Sequence, residues 1–64
     1  MTNIKLTTAV NKEVDELNLK SIFIPKGTEG TLIDIIIEDG EVRFLLEFDT
    51  TIEWYDVNEV EERF

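Results

Sequence analysis

The 64-residue sequence contains neither cysteine nor histidine. The lack of cysteine excludes disulfide bonds and thiolate metal sites. The lack of histidine removes the commonest general base and the commonest metal ligand. A chain of this length forms one domain, spanning residues 1–64, and buries only about 60% of the surface that its unfolded form exposes. We therefore expect a thin core and neither a cofactor nor a metal.

Long hydrophobic runs are also missing. No apolar segment approaches the roughly 20 residues that a helix needs to cross a bilayer. The first ten residues lack the profile of a signal peptide. The sequence therefore predicts a soluble, cytoplasmic protein that does not bind membranes.

Positive charge is scarce in the second half of the chain. The net charge is −9, and residues 33–64 carry all of it, with eleven acids against Arg43 and Arg63. Such a field repels phosphate backbones, so direct binding to nucleic acid is not expected, whereas a basic protein surface would be attracted. Seven acids follow one another without an intervening base: Glu47, Asp49, Glu53, Asp56, Glu59, Glu61 and Glu62.

The clearest structural signal is a β-hairpin between residues 27 and 49. Its turn is Asp39-Gly40, a dipeptide that favours a two-residue type I′ turn with positive φ at both positions. This turn pairs Glu38 with Glu41 and thereby fixes the register of both strands. The predicted inward-facing pairs are Ile37–Val42, Ile35–Phe44, Ile33–Leu46 and Thr31–Phe48.

The opposite face of this hairpin is unexpectedly apolar. The same register pairs Ile36 with Arg43, Asp34 with Leu45 and Leu32 with Glu47, so that Leu45 lies diagonal to two other aliphatic side chains. One interpretation is that residues 11–24 or the last residues of the chain cover this face. The other interpretation is a contact patch for a partner, which includes Tyr55 as an exposed aromatic residue. The predicted patch consists of Leu32, Ile36, Leu45, Arg43 and Tyr55. Because Trp54 and Tyr55 are adjacent on a strand, one of them is expected in the core.

The segments around the hairpin predict three shorter extended pieces. The first is a strand from Ile4 to Val10, which leads into a polar loop from Asn11 to Leu19. A short extended piece then ends at Ile24, because Pro25 cannot donate a backbone hydrogen bond. A bend or bulge is expected at Gly30. After a turn at residues 49–51, a strand covers residues 52–57. The capping-box pattern of residues 56–59 favours one helical turn and a short last strand over a two-turn helix.

The segment Lys26-Gly27-Thr28-Glu29-Gly30-Thr31-Leu32-Ile33 is similar to the K-G-x-x-G-T-[VIL]-[VI] pattern that begins the second strand of small bacterial SH3-like domains. Glu47-Phe48 and Val57-x-Glu59-Val60-Glu61 also match. The resemblance implies an all-β, five-stranded SH3-like barrel with one short helical turn near the C-terminus. In related barrels, such as a photosystem I accessory subunit and a domain of the nitrile hydratase β-subunit, this fold is a docking or stabilising module.

Catalysis is not expected. Carboxylates cluster at turns and chain ends rather than in a cleft, and Glu38-Asp39-Gly40-Glu41 lacks the ligand spacing of a calcium loop. The function predicted is a non-catalytic protein-interaction or accessory module, whose partner is another protein or a second copy of this chain. The alternative is an acidic inhibitor or immunity-type protein, whose acids between residues 47 and 62 mask a basic, nucleic-acid-binding surface.

Overall fold

The computed structural model describes residues 3–15 and 21–61. These residues form six strands and a single 3-10 turn, so the prediction of an all-β protein with one short helical turn is confirmed. None of the described residues belongs to a helix that could cross a membrane. The elements are β1 (Lys5–Thr7), β2 (Lys12–Asp15), β3 (Ser21–Ile24), β4 (Glu29–Glu38), β5 (Glu41–Glu47), β6 (Ile52–Asp56) and the 3-10 turn Val57–Glu59.

The strands form two sheets that do not close into a barrel. Four of them make an antiparallel sheet in the order β1-β4-β5-β6, and β2 pairs with β3 in a separate ribbon. The predicted five-stranded closed barrel is therefore wrong in strand number and in closure. The additional strand is β2, which falls in the predicted polar loop. It was missed because only Lys12 and Val14 are partly buried, and alternate positions face solvent. The rest of that loop, residues 16–19, lies outside the described residues.

The turn and the part of the hairpin next to it agree with the sequence prediction. Asp39 and Gly40 have φ values of 52° and 78°, as a type I′ turn requires. From Glu38–Glu41 to Asp34–Leu45, every predicted pair is observed. A local turn signal was therefore enough to set the register for five consecutive pairs.

Between Leu32 and Asp34 a β-bulge changes the register. Leu32 lies opposite Leu46 and Thr31 opposite Glu47, with Ile33 left as the extra residue. The predicted pairs Ile33–Leu46, Thr31–Phe48 and Leu32–Glu47 are therefore wrong. The bulge turns Leu32 towards the core, a rearrangement that the alternation of apolar residues did not reveal.

Gly30 is needed for packing rather than for a bend. Its φ is not positive, but a β-carbon placed there would lie 2.7 Å from Cε1 of Phe48 and 3.1 Å from Cβ of Leu46. Since no real β-carbon approaches a ring carbon so closely, only glycine lets Phe48 lie against β4.

The hydrophobic core lies against the part of the four-stranded sheet that is farther from the Asp39-Gly40 turn. Leu46 and Tyr55 are completely buried and Val60 nearly so, and five partly buried side chains pack around them: Leu6, Val10, Leu32, Phe44 and Phe48. The isoleucines that were predicted to face inward lie beyond this cluster, at 47% exposure for Ile33, 50% for Ile35 and 74% for Ile37. The hairpin thus extends past the core that it helps to form.

Thr8 connects the end of β1 to the turn before β4. It is fully buried, and its hydroxyl donates to the carbonyl of Pro25 and accepts the N–H of Thr28, both at 3.1 Å. Its backbone N–H bonds the Thr28 carbonyl, and its carbonyl accepts from Gly27. The buried polar group is therefore satisfied, and the turn is held against β1.

The end of the described chain returns to β1. After the 3-10 turn, Val60 forms an isolated antiparallel bridge with Thr8, and the Ala9 N–H donates to the Glu59 carbonyl at 2.8 Å. The Glu59 carboxylate accepts the Asp56 N–H at 2.9 Å, which is the capping contact that the sequence predicted. The predicted helical turn is confirmed, whereas the predicted short last strand is seen only as the single bridge at Val60, and residues 62–64 lie outside the described residues.

Candidate functional site

The part of β4 from Ile33 to Glu38, here called the isoleucine segment, exposes apolar side chains on both faces of the sheet. Ile35 and Ile37 share the face of Phe44, and Ile36 lies on the other face with Arg43. Ile36 is 37% exposed, less than its neighbours but well outside the core. Contiguous exposed apolar residues on a strand are typical of binding surfaces.

The isoleucine segment is also a sheet edge. β1 pairs only with residues 29–31 of β4, and the last hydrogen bond between them runs from the Leu32 N–H to the Ile4 carbonyl. Beyond that point, no described residue pairs with β4 on the side away from β5. Six residues of the longest strand therefore have a strand neighbour on one side only.

The hairpin turn determines which backbone groups point to this edge. In a two-residue hairpin the pair that flanks the turn is hydrogen-bonded, and bonded and non-bonded pairs then alternate. Glu38 and Ile36 therefore bond to β5, whereas the N–H and C=O of Ile37 and Ile35 point outward. The side-chain contacts agree, because the Ile35 N–H donates to Oδ1 of Asp34 at 2.8 Å instead of to a strand.

The opposite edge of the sheet, at β6, is covered by side chains. The Trp54 N–H donates to Oε1 of Glu53 at 2.8 Å, and its carbonyl accepts from Nζ of Lys12 at 2.7 Å. The same ammonium lies 3.3 Å from the Glu59 carboxylate and 4.4 Å from the centre of the Tyr55 ring. Side-chain capping of an edge is a common protection against unwanted strand pairing. Among the described residues, the β4 edge beyond Leu32 has only the Asp34 contact.

Three of the predicted patch residues lie together on the outer face of the hairpin. Leu45 sits between Asp34 and Trp54 across the sheet, and in the next row Arg43 sits between Ile36 and Asp56. The Arg43 guanidinium lies 3.6 Å from the Asp56 carboxylate, and a second contact to Glu41 measures 3.9 Å. Ile36, Leu45 and Arg43 therefore form an apolar surface with a charged rim.

The other two predicted patch residues, Leu32 and Tyr55, lie on the core face. Leu32 is turned there by the bulge, and Tyr55 is completely buried opposite Phe44. The aromatic residue of the outer face is Trp54, which is partly buried beside Leu45. The pairing of β6 with β5 decides which of the two adjacent aromatic residues lies in the core. This register depends on a long-range contact, so the sequence pattern did not predict it.

Two segments were expected to cover the outer face, residues 11–24 and the last residues; their described parts contact other regions, and residues 16–20 and 62–64 lie outside the described residues. Lys12, at the start of β2, contacts the ring of Tyr55 and therefore approaches the core face. Val60 bridges Thr8 beyond β1. Ile36 on the outer face remains 37% exposed, and Ile52 on the same face is 51% exposed.

The acids of the second half do not share one face. Glu47 and Asp49 are exposed, but Glu53 lies opposite Leu46 on the core face. Asp56 pairs with Arg43, and Glu59 pairs with Lys12.

The last two acids of the predicted acidic patch add little to it. Glu61 is partly buried and has an interaction partner, and Glu62 lies outside the described residues. Within residues 3–15 and 21–61, no three acids converge in a group that could hold a metal ion. The acidity of the second half is thus distributed over the sheet.

Tyr55 is a core residue with an unusual hydroxyl. Its ring packs edge-on against Phe48, with 6.0 Å between the ring centres. The hydroxyl is buried without a hydrogen-bond partner among the described residues. Burial, and to a smaller extent the charges of Glu53 and Glu59, raise the pKa of Tyr55 from 10.0 to about 12. The phenol is therefore neutral at physiological pH.

Two shallow grooves accompany these surfaces. One, of about 390 Å³, lies beside the hairpin turn, where the Glu41 and Asp56 carboxylates both contact Arg43. The other, of about 280 Å³, lies between β3 and the turn at residues 48–50, and beside it Phe23 is 59% exposed. In the first groove both acids are exposed and contact the same arginine, an arrangement that does not favour acid–base chemistry between them.

No family model, curated protein or solved structure matches this chain. The function proposed below therefore rests on the geometry of the isoleucine segment and the outer face.

Proposed function

We propose that this chain is a non-catalytic protein-interaction module, and that its partner binds the exposed half of the β4–β5 hairpin. One observation supports this most strongly: Ile35, Ile36 and Ile37 lie outside the core, with 50%, 37% and 74% exposure. Fully burying one such side chain contributes about 1.5–3 kcal/mol before the costs of association. A small domain keeps so much apolar surface in water at a cost in solubility, which a binding role explains.

The second candidate is an acidic inhibitor that masks a basic surface. The net charge of −9 and the exposed Glu47 and Asp49 favour it. Asp56 and Glu59 are already paired within the chain, which weakens it. Exposed ion pairs contribute only about 0–1 kcal/mol each. The apolar hairpin is therefore the better-supported contact, and the charges set on-rate and selectivity. The SH3-like resemblance stays a prediction, and it agrees with a docking role.

The test compares two surface variants in affinity capture from the native cell. Ile36→Lys places a charge in the apolar surface at a partly exposed site, and Glu47→Lys/Asp49→Lys reverses two exposed acids. Glu59 is unsuitable for charge reversal, because its carboxylate accepts the Asp56 N–H and pairs with Lys12. Both variants are first compared with the wild type by circular dichroism and urea unfolding.

We expect a specific partner to be retained by the charge-reversed protein and lost by Ile36→Lys, with only a modest decrease in affinity as the salt concentration rises. Retention by Ile36→Lys together with loss in the charge-reversed protein, and a steep decline with salt, would instead establish the acidic inhibitor.

A further inference from the structure

The edge of the isoleucine segment offers a backbone template of defined length. The outward N–H and C=O of Ile37 have no partner among the described residues, and the Ile35 N–H is held only by the neighbouring Asp34 carboxylate. Such an edge can accept an extended chain as an additional strand, with main-chain hydrogen bonds providing affinity. The carboxylate on Ile35 is exposed and can rotate away when a backbone carbonyl replaces it.

The side chains along this edge specify what the additional strand would carry. Asp34 and Glu38 lie on the outer face on either side of Ile36, whereas Ile35 and Ile37 point to the other face. Residues that pair across two strands share a face. A segment laid along residues 34–38 therefore meets an acid, three isoleucines and an acid, in that order. Because the pattern is symmetric, it is the same for parallel and antiparallel addition.

We infer that the partner of this protein contributes an extended segment to the β4 edge, in which two basic residues enclose three apolar ones. This inference rests on the proposed function, because it specifies how the same hairpin is bound. The basic residues lie opposite Asp34 and Glu38, and the apolar residues cover Ile35, Ile36 and Ile37. Charge complementarity selects the segment, and the outward groups of Ile35 and Ile37 orient it.

A second copy of this chain fits the edge less well. Each copy carries a net charge of −9. A two-fold pairing centred on Ile36 places Asp34 of one copy opposite Glu38 of the other, twice, and like charges directly opposite each other destabilise a sheet. The protein is therefore expected to be a monomer when its partner is absent.

The experiment uses a synthetic peptide, since the natural segment is unidentified. The probe is a fluorescein-labelled nonapeptide with Lys-Val-Val-Ile-Lys at its centre and Ser-Thr flanks, titrated with the full chain and followed by fluorescence anisotropy. A second peptide replaces both lysines with glutamate. Two further peptides carry backbone N-methyl groups, either on the second and fourth residues of the central five or on the third and fifth.

In antiparallel addition, the second and fourth residues lie opposite Ile37 and Ile35, and their N–H groups face the protein. Methylation there is expected to weaken binding by about tenfold or more, which corresponds to two lost hydrogen bonds. Methylation of the third and fifth residues, whose N–H groups face away, is expected to change affinity by no more than about threefold. The glutamate peptide should bind more weakly than the lysine peptide.

A charge-swapped protein provides the matching control on the protein side. Asp34→Lys/Glu38→Lys should reverse the preference and bind the glutamate peptide better than the lysine peptide. If this variant does not fold, the lysine and glutamate peptides with the wild-type protein still test the charge preference, and the N-methyl peptides still test strand addition.

The inference is overturned by any of three results. The lysine peptide does not bind at millimolar concentration, or both N-methyl patterns have equal effects, or sedimentation shows a dimer that Ile37→Lys dissociates. In the second case, loss of binding in Ile36→Lys would still support the proposed function, with the partner on the face of the hairpin instead of its edge.

Discussion

The buried hydroxyl of Tyr55 gives the most quantitative prediction about the core. Replacing Tyr55 by Phe removes one oxygen atom that is fully buried and has no hydrogen-bond partner among the described residues. The ring contact with Phe48 and the Lys12 ammonium over the ring face remain possible for phenylalanine. Because an unpaired buried hydroxyl carries a desolvation penalty, we expect Tyr55→Phe to be neutral or stabilising by up to about 1 kcal/mol at neutral pH.

The same substitution should change how stability depends on pH. The folded protein has the pKa of Tyr55 raised from 10.0 to about 12, so the unfolded chain loses the phenolic proton first. The free energy of unfolding is then unaffected by this group below pH 10 and falls as the pH rises through the interval up to 12. At 1.36 kcal/mol for each pH unit, and with the folded phenol half ionised at its own pKa, the loss is about 2 kcal/mol by the end of the interval. For a domain of this size that is a large part of the total stability.

The assay is urea unfolding of the wild type and Tyr55→Phe, monitored by Trp54 fluorescence. It is repeated at pH values from 8 to 12, a range that includes the raised pKa of Tyr55. Every other ionisable group is common to both proteins, so the difference between them isolates the contribution of Tyr55. Tyr55 is the sole tyrosine, so tyrosinate absorbance reports its ionisation directly. A destabilisation of more than about 2 kcal/mol in Tyr55→Phe at neutral pH would mean that the hydroxyl is hydrogen-bonded. An equal alkaline loss in both proteins would refute the pKa argument.

Five further substitutions, at four positions, test the packing and the turn. Gly30→Ala forces a β-carbon to within 2.7 Å of the Phe48 ring, so urea unfolding should show a loss of roughly 1–3 kcal/mol, and an unchanged midpoint would contradict the packing. Gly40→Ala should cost roughly 1 kcal/mol and Gly40→Asn less, because φ is +78° in open space and asparagine tolerates that region; equal losses would argue against a type I′ turn. Leu46→Ala should cost about 2–5 kcal/mol, whereas Ile37→Ala, at 74% exposure, should stay within about 0.5 kcal/mol; comparable losses would place Ile37 in the core.

The features that the sequence predicted correctly are those with local causes. The Asp39-Gly40 turn needs only two residues that accept positive φ, and it sets the pairing down to Asp34. The end of β3 at Ile24 follows from the missing N–H of Pro25, and the turn after β6 follows from a capping pattern. Each of these depends on residues within a few positions of one another.

The features that were missed depend on contacts between distant parts of the chain. The bulge at Ile33 lets Leu32 reach Leu46 in the core. Phe48 lies close to Gly30 in the same region. Neither contact changes the alternation of apolar and polar residues in the sequence. β2 was missed because a ribbon strand with one partly buried side looks like a polar loop. The alternation of apolar and polar residues therefore located the apolar strands correctly, but it did not separate all core side chains from exposed ones.

The candidate surface was predicted in part for the same reason. Ile36, Leu45 and Arg43 lie above the bulge, where the predicted register holds, and they are found together. Leu32 lies below the bulge and Tyr55 lies on a strand whose register was unknown. The exposure of Ile35 and Ile37 follows from the short pairing of β1 with β4, which ends at Leu32.

Amide hydrogen exchange along β4 in the free protein, resolved by residue with NMR, reports directly whether the edge of the isoleucine segment is open. If the isoleucine segment is paired on one side only, protection alternates: the Ile36 amide, bonded to β5, exchanges slowly, and the Ile37 amide, pointing to the open edge, exchanges fast. We expect this contrast in the free protein. Equal protection of Ile36 and Ile37 would show that the edge is already paired, and it would contradict the proposal that this edge is open to a partner.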